Sequence, residues 1–340
     1  MPWRKAVLAL FVGAVTLFGS APAALAEDVA PPPQPASGPG GADYLWASSI
    51  QRRVTFADAA KDYWTFVPAD WQGPGSRPRT APLVVFMHGW VADDPKYYLD
   101  WIRHLVRKGN VIVFPRFQTS AQTPPQEFTP NAVFSIKQAL AMLGKTSPVK
   151  PDTSLGMTVM AHSWGGVVGA NVANRWSAES LPEPKALMLA QPYFRALDAS
   201  LEGIPSTTEI ACVVGDVDTT TGRTGCDLIW DRTGHVPPGN RNYLWMFNDA
   251  HGTPALSADH RAPSSGNDGA VLDALDWNGF WKLGDGLRDC GFFGTGCEYA
   301  LGNTPEQTSL GTWSDGVPVR PMSVTTTKPP CPEGTLAKGC

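Results

Sequence analysis

The chain has 340 residues, of which 43% are hydrophobic and 17% are charged, and this balance excludes a largely disordered protein. The formal net charge is −4 and no long basic run occurs, so we expect no nucleic-acid partner. The one long apolar stretch lies at the N-terminus, which excludes a membrane protein with several spans.

Residues 1–26 have the three parts of a secretory signal peptide. Arg4 and Lys5 supply positive charge, residues 6–18 are apolar, and Ala-Leu-Ala at residues 24–26 forms a small-x-small cleavage site. The apolar run is shorter than the roughly 20 residues that a membrane-spanning helix needs. We therefore predict a protein secreted to the extracellular space or the periplasm, without stable membrane insertion after cleavage.

The remaining chain divides into a linker, one folded domain and a tail. Residues 27–42 are rich in Pro and Gly and predict a mobile or polyproline-like linker. Residues 43–324 form the predicted catalytic domain, with a C-terminal extension from about residue 290. Residues 325–340 form a tail rich in Pro and Thr.

The six cysteines fall into three pairs that are close in sequence, which fits an oxidising compartment. Six cysteines allow 15 connectivities, so the pairing by proximity is a hypothesis. A zinc site is the rival interpretation, but no Cys-x-x-Cys occurs. The predicted pairs are Cys212/Cys226, Cys290/Cys297 and Cys331/Cys340.

Apolar runs alternate with segments of helical period along the domain, which favours an α/β fold built on a mostly parallel, doubly wound sheet of about eight strands. Several runs are continuously apolar, as in strands buried on both faces. Ligands of such sheets bind beyond the carboxyl ends of the strands. The predicted strands are Ile50–Phe56, Tyr63–Val67, Leu83–Met87, Val111–Phe114, Met157–Ala161, Ala186–Leu189, Ile210–Val214 and Tyr243–Phe247. The predicted helices are Lys96–Lys108, Thr129–Leu143, Trp164–Ala178, Arg223–Arg232 and Asp268–Leu287.

The strongest chemical motif is Met-Ala-His-Ser-Trp-Gly-Gly at residues 160–166. An apolar strand runs into small-x-Ser-x-Gly and then into a helix, which is the context of a nucleophile elbow. Ala161 and Gly165 have to be small because larger side chains would collide with the neighbouring strand and helix. The turn would expose the Ser163 hydroxyl, and the helix beginning at Trp164 would favour developing negative charge.

With this motif the chain resembles the α/β-hydrolase fold, and within it the secreted carboxylesterases, lipases and polyester hydrolases. The resemblance covers about residues 50–290 and departs from the usual elbow at Ala161, where Gly is commoner. Only residues 190–209 separate the sixth and seventh predicted strands, the place where cap domains are commonly inserted. We therefore expect no large cap domain and an open cleft.

The resemblance also implies an oxyanion hole. The predicted strand Leu83–Met87 is followed by His-Gly-Trp, and in the family the residue after this His-Gly pair donates a backbone N–H. Here that residue is Trp90, and the second donor is the N–H of Trp164. We expect His88 to be a structural, hydrogen-bonded histidine.

The acid is expected after the strand Ile210–Val214. The family often has Gly-x-x-Asp here, which selects Asp218 and leaves Asp216 as the alternative. A calcium loop is excluded in its EF-hand form, because the Gly and Glu of that motif are missing.

The base is expected after the last strand. Two histidines, His251 and His260, follow that strand, and either one gives the chain order Ser, Asp, His that the fold requires. His251 is preferred because it lies in the loop directly after the strand, and His260 is the alternative.

These residues imply a secreted serine hydrolase that cleaves small or polymeric carboxylic esters through an acyl-enzyme, without a metal or an organic cofactor. Ser163, Asp218 and His251 would be catalytic, and the aromatic side chains of Trp90, Trp164 and Tyr193 would bind substrate. Two alternatives remain: an amidase or peptidase with the same residues, and a non-catalytic binding module on the same scaffold.

Overall fold

The computed structural model describes residues 1–3, 28–265 and 270–340. Most of the predicted signal peptide and the start of the predicted helix Asp268–Leu287 lie outside these residues. Within them, no helix is both long enough and apolar enough to cross a membrane.

A nine-stranded sheet runs through the domain in the order β1-β2-β5-β4-β7-β8-β9-β10-β11, and β3 pairs with β6 beside it. Six neighbouring strands of this sheet are parallel, namely β5, β4, β7, β8, β9 and β10. The pairs β1–β2, β2–β5 and β10–β11 are antiparallel. The mostly parallel sheet is therefore confirmed, with antiparallel strands at both ends. The strands are β1 Trp46–Val54, β2 Tyr63–Trp71, β3 Thr80–Ala81, β4 Leu83–Met87, β5 Val111–Pro115, β6 Lys150–Pro151, β7 Met157–His162, β8 Pro184–Ala190, β9 Glu209–Gly215, β10 Arg241–Met246 and β11 Ser323–Thr325.

The central strands are continuously apolar because both faces of the sheet are covered. In β4, Leu83, Val85 and Met87 enter one hydrophobic cluster, while Val84 and Phe86 enter a second cluster on the other face. All five side chains are fully buried. Burial of each contributes about 1.5–3 kcal/mol, and this sets the register of the strand.

The helices cover both faces of the sheet. Buried side chains of α2, α3 and α4 belong to one cluster, and those of α1 and α5 belong to the other. This distribution agrees with a doubly wound arrangement. The helices are α1 Leu99–Arg107, α2 Pro125–Thr146, α3 Trp164–Asn174, α4 Thr224–Arg232, α5 Lys282–Phe293 and α6 Pro305–Thr308, and a π-helical turn, Asp276–Trp281, leads into α5.

Residues 28–42, the described part of the segment 27–42 that was predicted to be a mobile or polyproline-like linker, are docked on the domain. Trp277 donates from its indole nitrogen to the carbonyl of Pro32, and the Gly40 N–H donates to Asp285 at 2.9 Å. A Cβ at Gly40 would lie 1.9 Å from the Trp277 carbonyl oxygen, so only glycine allows this approach. Tertiary contacts, which the Pro/Gly composition does not reveal, hold the segment.

The three proximity pairs of cysteines are the disulfides of the structure. Their Cα separations are 5.7, 4.7 and 5.7 Å, all within the range of a disulfide, and no free cysteine remains among the described residues. The bonds fit a protein of an oxidising compartment. The connection from β8 to β9, residues 191–208, contains neither helix nor strand, in line with the expected lack of a large cap.

Candidate active site

Ser163 occupies a strained turn between β7 and α3. Its φ is +55° and its ψ is −123°, a conformation that L-residues rarely adopt. A Cβ at Gly165 would lie 2.2 Å from the Met87 carbonyl oxygen, so a larger residue would push the helix away from β4. The predicted requirement for small residues around Ser163 is therefore met by the packing.

His260, and not His251, lies beside Ser163. His260 Nε2 lies 2.9 Å from Ser163 Oγ, and His260 Nδ1 lies 2.9 Å from Asp218 Oδ2. Because a carboxylate only accepts hydrogen bonds, Nδ1 carries the proton and Nε2 is left to accept from the serine hydroxyl. The structure thus joins Ser163, His260 and Asp218 in one directed hydrogen-bonded chain.

The prediction that His251 lies beside Ser163 is wrong. His251 is about one-third exposed and its Nε2 lies 2.7 Å from Asp315 Oδ2. Asp249 and Leu256 exchange backbone hydrogen bonds, which closes a small loop that carries His251 away from the cleft. The chain returns only afterwards, where Ala258 N–H donates to Asn248 Oδ1 at 2.6 Å and brings His260 to the sheet edge. The turn-forming His-Gly-Thr-Pro sequence at residues 251–254 is the local signal of this detour.

Asp218, the preferred acid, is fully buried at the end of β9. Its Oδ1 accepts the N–H groups of Thr220 and Thr221, and its Oδ2 accepts the Thr221 hydroxyl at 2.6 Å. Burial raises the pKa of this carboxyl, but the hydrogen bonds from His260 and Thr221 outweigh it and lower the pKa to about 2. Asp218 is therefore ionised at neutral pH.

Asp216, the alternative acid, has a different task. Its Oδ1 accepts the N–H of Asn248 at 2.9 Å, and its Oδ2 lies 3.8 Å from Arg320. These contacts connect the end of β9 to the chain that follows β10. The carboxylate that contacts His260 is that of Asp218.

His162 is part of a second hydrogen-bonded chain, which sequence reasoning did not find. Gly89 N–H donates to the Tyr98 hydroxyl at 2.9 Å, and that hydroxyl lies 2.9 Å from His162 Nδ1. His162 Nε2 lies 2.8 Å from the backbone carbonyl oxygen of His260, to which it donates. Burial, with a smaller contribution from nearby His260, lowers the pKa of His162 to about 3, so the ring is neutral. His162 also lines the cleft, and its contact with the His260 carbonyl holds the base in place.

The N–H groups predicted for an oxyanion hole are available. On either side of Trp90, the Gly89 N–H donates to Tyr98 and the Val91 N–H donates to Gln118 Oε1 at 3.0 Å. Across the described residues, neither the Trp90 N–H nor the Trp164 N–H has an acceptor. Both residues line the cleft that contains Ser163, and the Trp164 N–H belongs to the unpaired first turn of α3.

His88 is structural, as expected. It is fully buried and stacks on Phe117 with ring centroids 3.9 Å apart, and its ring nitrogens contact the carbonyl oxygens of Gly89 and Arg116. Burial lowers its pKa. These contacts fix the backbone that leads to Trp90.

The cleft at Ser163 measures about 880 Å³ and has an aromatic wall. Ring centroids are 5.3 Å apart for Trp90 and Trp164, and 4.5 Å apart for Trp164 and Tyr193. Among the described lining residues the charged side chains are Arg195 and Arg261, and none is a carboxylate. The wall can hold an apolar or flat group beside the serine hydroxyl.

Among the described residues one cluster has metal-ligand spacing, and none of its members lines this cleft. It consists of Glu209, Cys290 and Cys297, and both cysteines are engaged in a disulfide. No protein-family model matches the chain, and no curated protein matches its sequence.

Proposed function

We propose that the protein is a secreted serine hydrolase of carboxylic esters with an α/β-hydrolase fold. The observation that carries the proposal is the chain of two 2.9 Å contacts from Ser163 through His260 to Asp218, with the serine in a strained turn at the carboxyl end of a parallel strand. A buried, ionised acid, an oriented imidazole and a serine hydroxyl that lines the cleft are the groups that acyl transfer needs.

In the proposed reaction His260 Nε2 takes the proton of Ser163 Oγ as the oxygen attacks the ester carbonyl carbon. The Asp218 carboxylate accepts the hydrogen bond from His260 Nδ1–H and stabilises the imidazolium that forms. The N–H groups of Trp90 and Trp164 face the oxyanion, and loss of one such donor costs about 2.7–4 kcal/mol in comparable enzymes. His260 then protonates the leaving alcohol. In the second half of the reaction, His260 takes a proton from water as the water attacks the acyl-enzyme, and it returns this proton to Ser163 Oγ as the carboxylic acid leaves.

The cleft supports bulky, apolar esters as substrates. A volume of about 880 Å³ greatly exceeds the needs of an acetyl group, and the aromatic wall offers the rings of Trp90, Trp164 and Tyr193. The short β8–β9 connection leaves the cleft open, which suits polymeric as well as small esters.

Hydrolysis of p-nitrophenyl acetate, butyrate and octanoate tests the proposal. We expect activity on all three and a loss of about 10³-fold or more in Ser163→Ala, with Ser200→Ala, at an exposed serine, as the matched control. The p-nitroanilides of the same acids test the amidase alternative. Absence of turnover on every ester, or activity unchanged in Ser163→Ala, would overturn the proposal, and in the first case favour the binding module.

A further inference from the structure

The C-terminal loop, residues 329–340, is closed by the Cys331–Cys340 disulfide and lies on the acid loop, residues 216–223. Leu336 N–H donates to the Asp216 carbonyl at 2.8 Å, and Lys338 N–H donates to the Asp218 carbonyl at 2.9 Å. The two donors and the two acceptors are each two residues apart, so the two segments run side by side. The backbone of the buried acid is thus held directly by the C-terminal loop.

Side chains strengthen this pairing. The Thr335 hydroxyl donates to the Asp216 carbonyl at 2.7 Å, and Lys338 Nζ donates to the Thr220 carbonyl at 3.1 Å. The Arg223 guanidinium, which is almost fully buried, donates to the Pro329 carbonyl at 2.7 Å and contacts Cys331 Sγ.

The two loops are closely packed at Gly222. Gly222 has a φ of +52°, and a Cβ there would lie 2.1 Å from the Lys338 carbonyl oxygen. Ala337 is buried in the hydrophobic cluster to which α2, α3 and α4 contribute. The C-terminal loop therefore packs directly against the acid loop.

We propose that the disulfide-closed C-terminal loop is a positioning element that holds the Asp218 carboxylate in line with His260. The inference rests on the proposed function. The Asp218 carboxylate contacts His260 with one oxygen, so a shift of the acid loop by a fraction of an ångström lengthens that bond. Such displacements lower the rate of the chemical step, since reacting groups act only near their productive geometry. None of the residues of the C-terminal loop lines the cleft, so substrate binding is separate from this effect.

The first test replaces the disulfide by Cys331→Ser with Cys340→Ser in the full chain. We expect kcat for p-nitrophenyl butyrate to fall by about 10- to 100-fold while KM changes by less than about twofold. The matched control is Cys290→Ser with Cys297→Ser, which removes the disulfide between α5 and the turn that follows it, away from the acid loop. We expect this control to retain wild-type kcat.

A second variant leaves every disulfide intact. Gly222→Ala places a methyl group against Lys338, and Gly234→Ala, where an added Cβ meets nothing within 4 Å, is its control. The low-field proton resonance of the His260–Asp218 hydrogen bond supplies a readout that does not need activity. We expect it to broaden in Gly222→Ala and in the serine pair, and to remain in both controls.

Wild-type kcat and an unchanged resonance in both variants would overturn the inference, and so would equal losses in the controls. If the wild-type protein hydrolyses no ester, the proposed function fails, whereas the resonance still decides whether the C-terminal loop positions Asp218.

Discussion

His162 Nε2 and the backbone carbonyl oxygen of His260 are 2.8 Å apart, although the two residues are separated by 98 positions. Tyr98 bonds to the other nitrogen of the His162 ring and also receives the Gly89 N–H. One neutral imidazole therefore connects the loop that carries Trp90, the strained turn and the loop that carries the base. This arrangement demands that His162 stay uncharged, because both its ring nitrogens are used, one as acceptor and one as donor.

His162→Gln tests this demand through the pH dependence of stability. The folded-state pKa of about 3 lies below the ordinary value of 6.5. The unfolded chain therefore binds a proton between these values that the folded chain does not, and stability is lost as pH falls through this window. The limiting slope is about 1.4 kcal/mol per pH unit for one proton.

We expect the free energy of unfolding, measured with urea between pH 4 and pH 8, to fall less steeply with decreasing pH for His162→Gln than for the wild type. Tyr98, His260 and Asp218 are the titratable groups that face His162, and they are present in both proteins, so the difference isolates the ring. His235→Gln, at an exposed histidine that also contacts a carbonyl, is the control. Parallel curves for His162→Gln and wild type would refute the prediction.

The two candidate bases make a second prediction. His260→Ala should lower kcat/KM for p-nitrophenyl butyrate by about 10³-fold or more, because no other group among the described residues contacts Ser163 Oγ as a proton acceptor. His251→Ala should leave kcat/KM within about twofold of wild type, since it loses only the partly exposed pair with Asp315. The reverse result would restore His251 as the base.

The central sheet and the serine turn were accessible from sequence because local patterns encode them. Leu83–Met87 and residues 157–161 are apolar runs that end at a Gly- or Ser-containing turn, and the structure has strands there. The three-residue strand β11 was missed because Ser323–Thr325 is too short to show a period.

Other features depend on contacts between distant residues. His251 and His260 satisfy the same chain order, and only the Asp249–Leu256 bridge decides which one reaches the serine. The docking of residues 28–42 depends on Trp277 and Asp285, about 245 positions away. No local pattern in a Pro/Gly-rich segment predicts contacts with residues so far away in the sequence.

Asp218→Asn should lower kcat by about 10³- to 10⁴-fold, because the amide cannot fix the Nδ1–H tautomer of His260 in the way a carboxylate does. Asp216→Asn is the matched variant, since Asn keeps an oxygen for the Asn248 N–H. We expect its kcat to stay within about threefold of wild type. Initial rates at saturating ester measure both, and a larger loss in Asp216→Asn would assign the acid to that residue.

Glu209 makes a prediction about stability alone. Its Oε2 is buried with no hydrogen-bond partner in the described part of the chain, and burial raises its pKa to about 7. The folded-state value lies above the ordinary 4.5, so the ionised form destabilises the fold as pH rises from 4.5 to 7. Glu209→Gln should be more stable than wild type at pH 8, by about 1–3 kcal/mol, and equal to it near pH 4.

Thermal or urea unfolding at the two pH values measures this difference, with Glu202→Gln, at an exposed glutamate, as the control. A stabilisation of Glu209→Gln that is the same at pH 4 and pH 8 would show that ionisation is not its cause.

Trp90 combines two tasks that substitution can separate. Its backbone N–H is proposed to face the oxyanion, while its side chain, about one-third exposed, packs against Trp164 at the cleft with the two rings tilted. Trp90→Ala keeps the N–H and removes the ring, so we expect KM for p-nitrophenyl octanoate to rise by about 10-fold with kcat changed less than about threefold. Trp90→Phe should recover part of the affinity, and the acetate ester, too small to reach along the wall, should be affected least. A fall in kcat of equal size on acetate and octanoate would mean instead that the ring positions its own backbone, and the side chain would lose its role in binding.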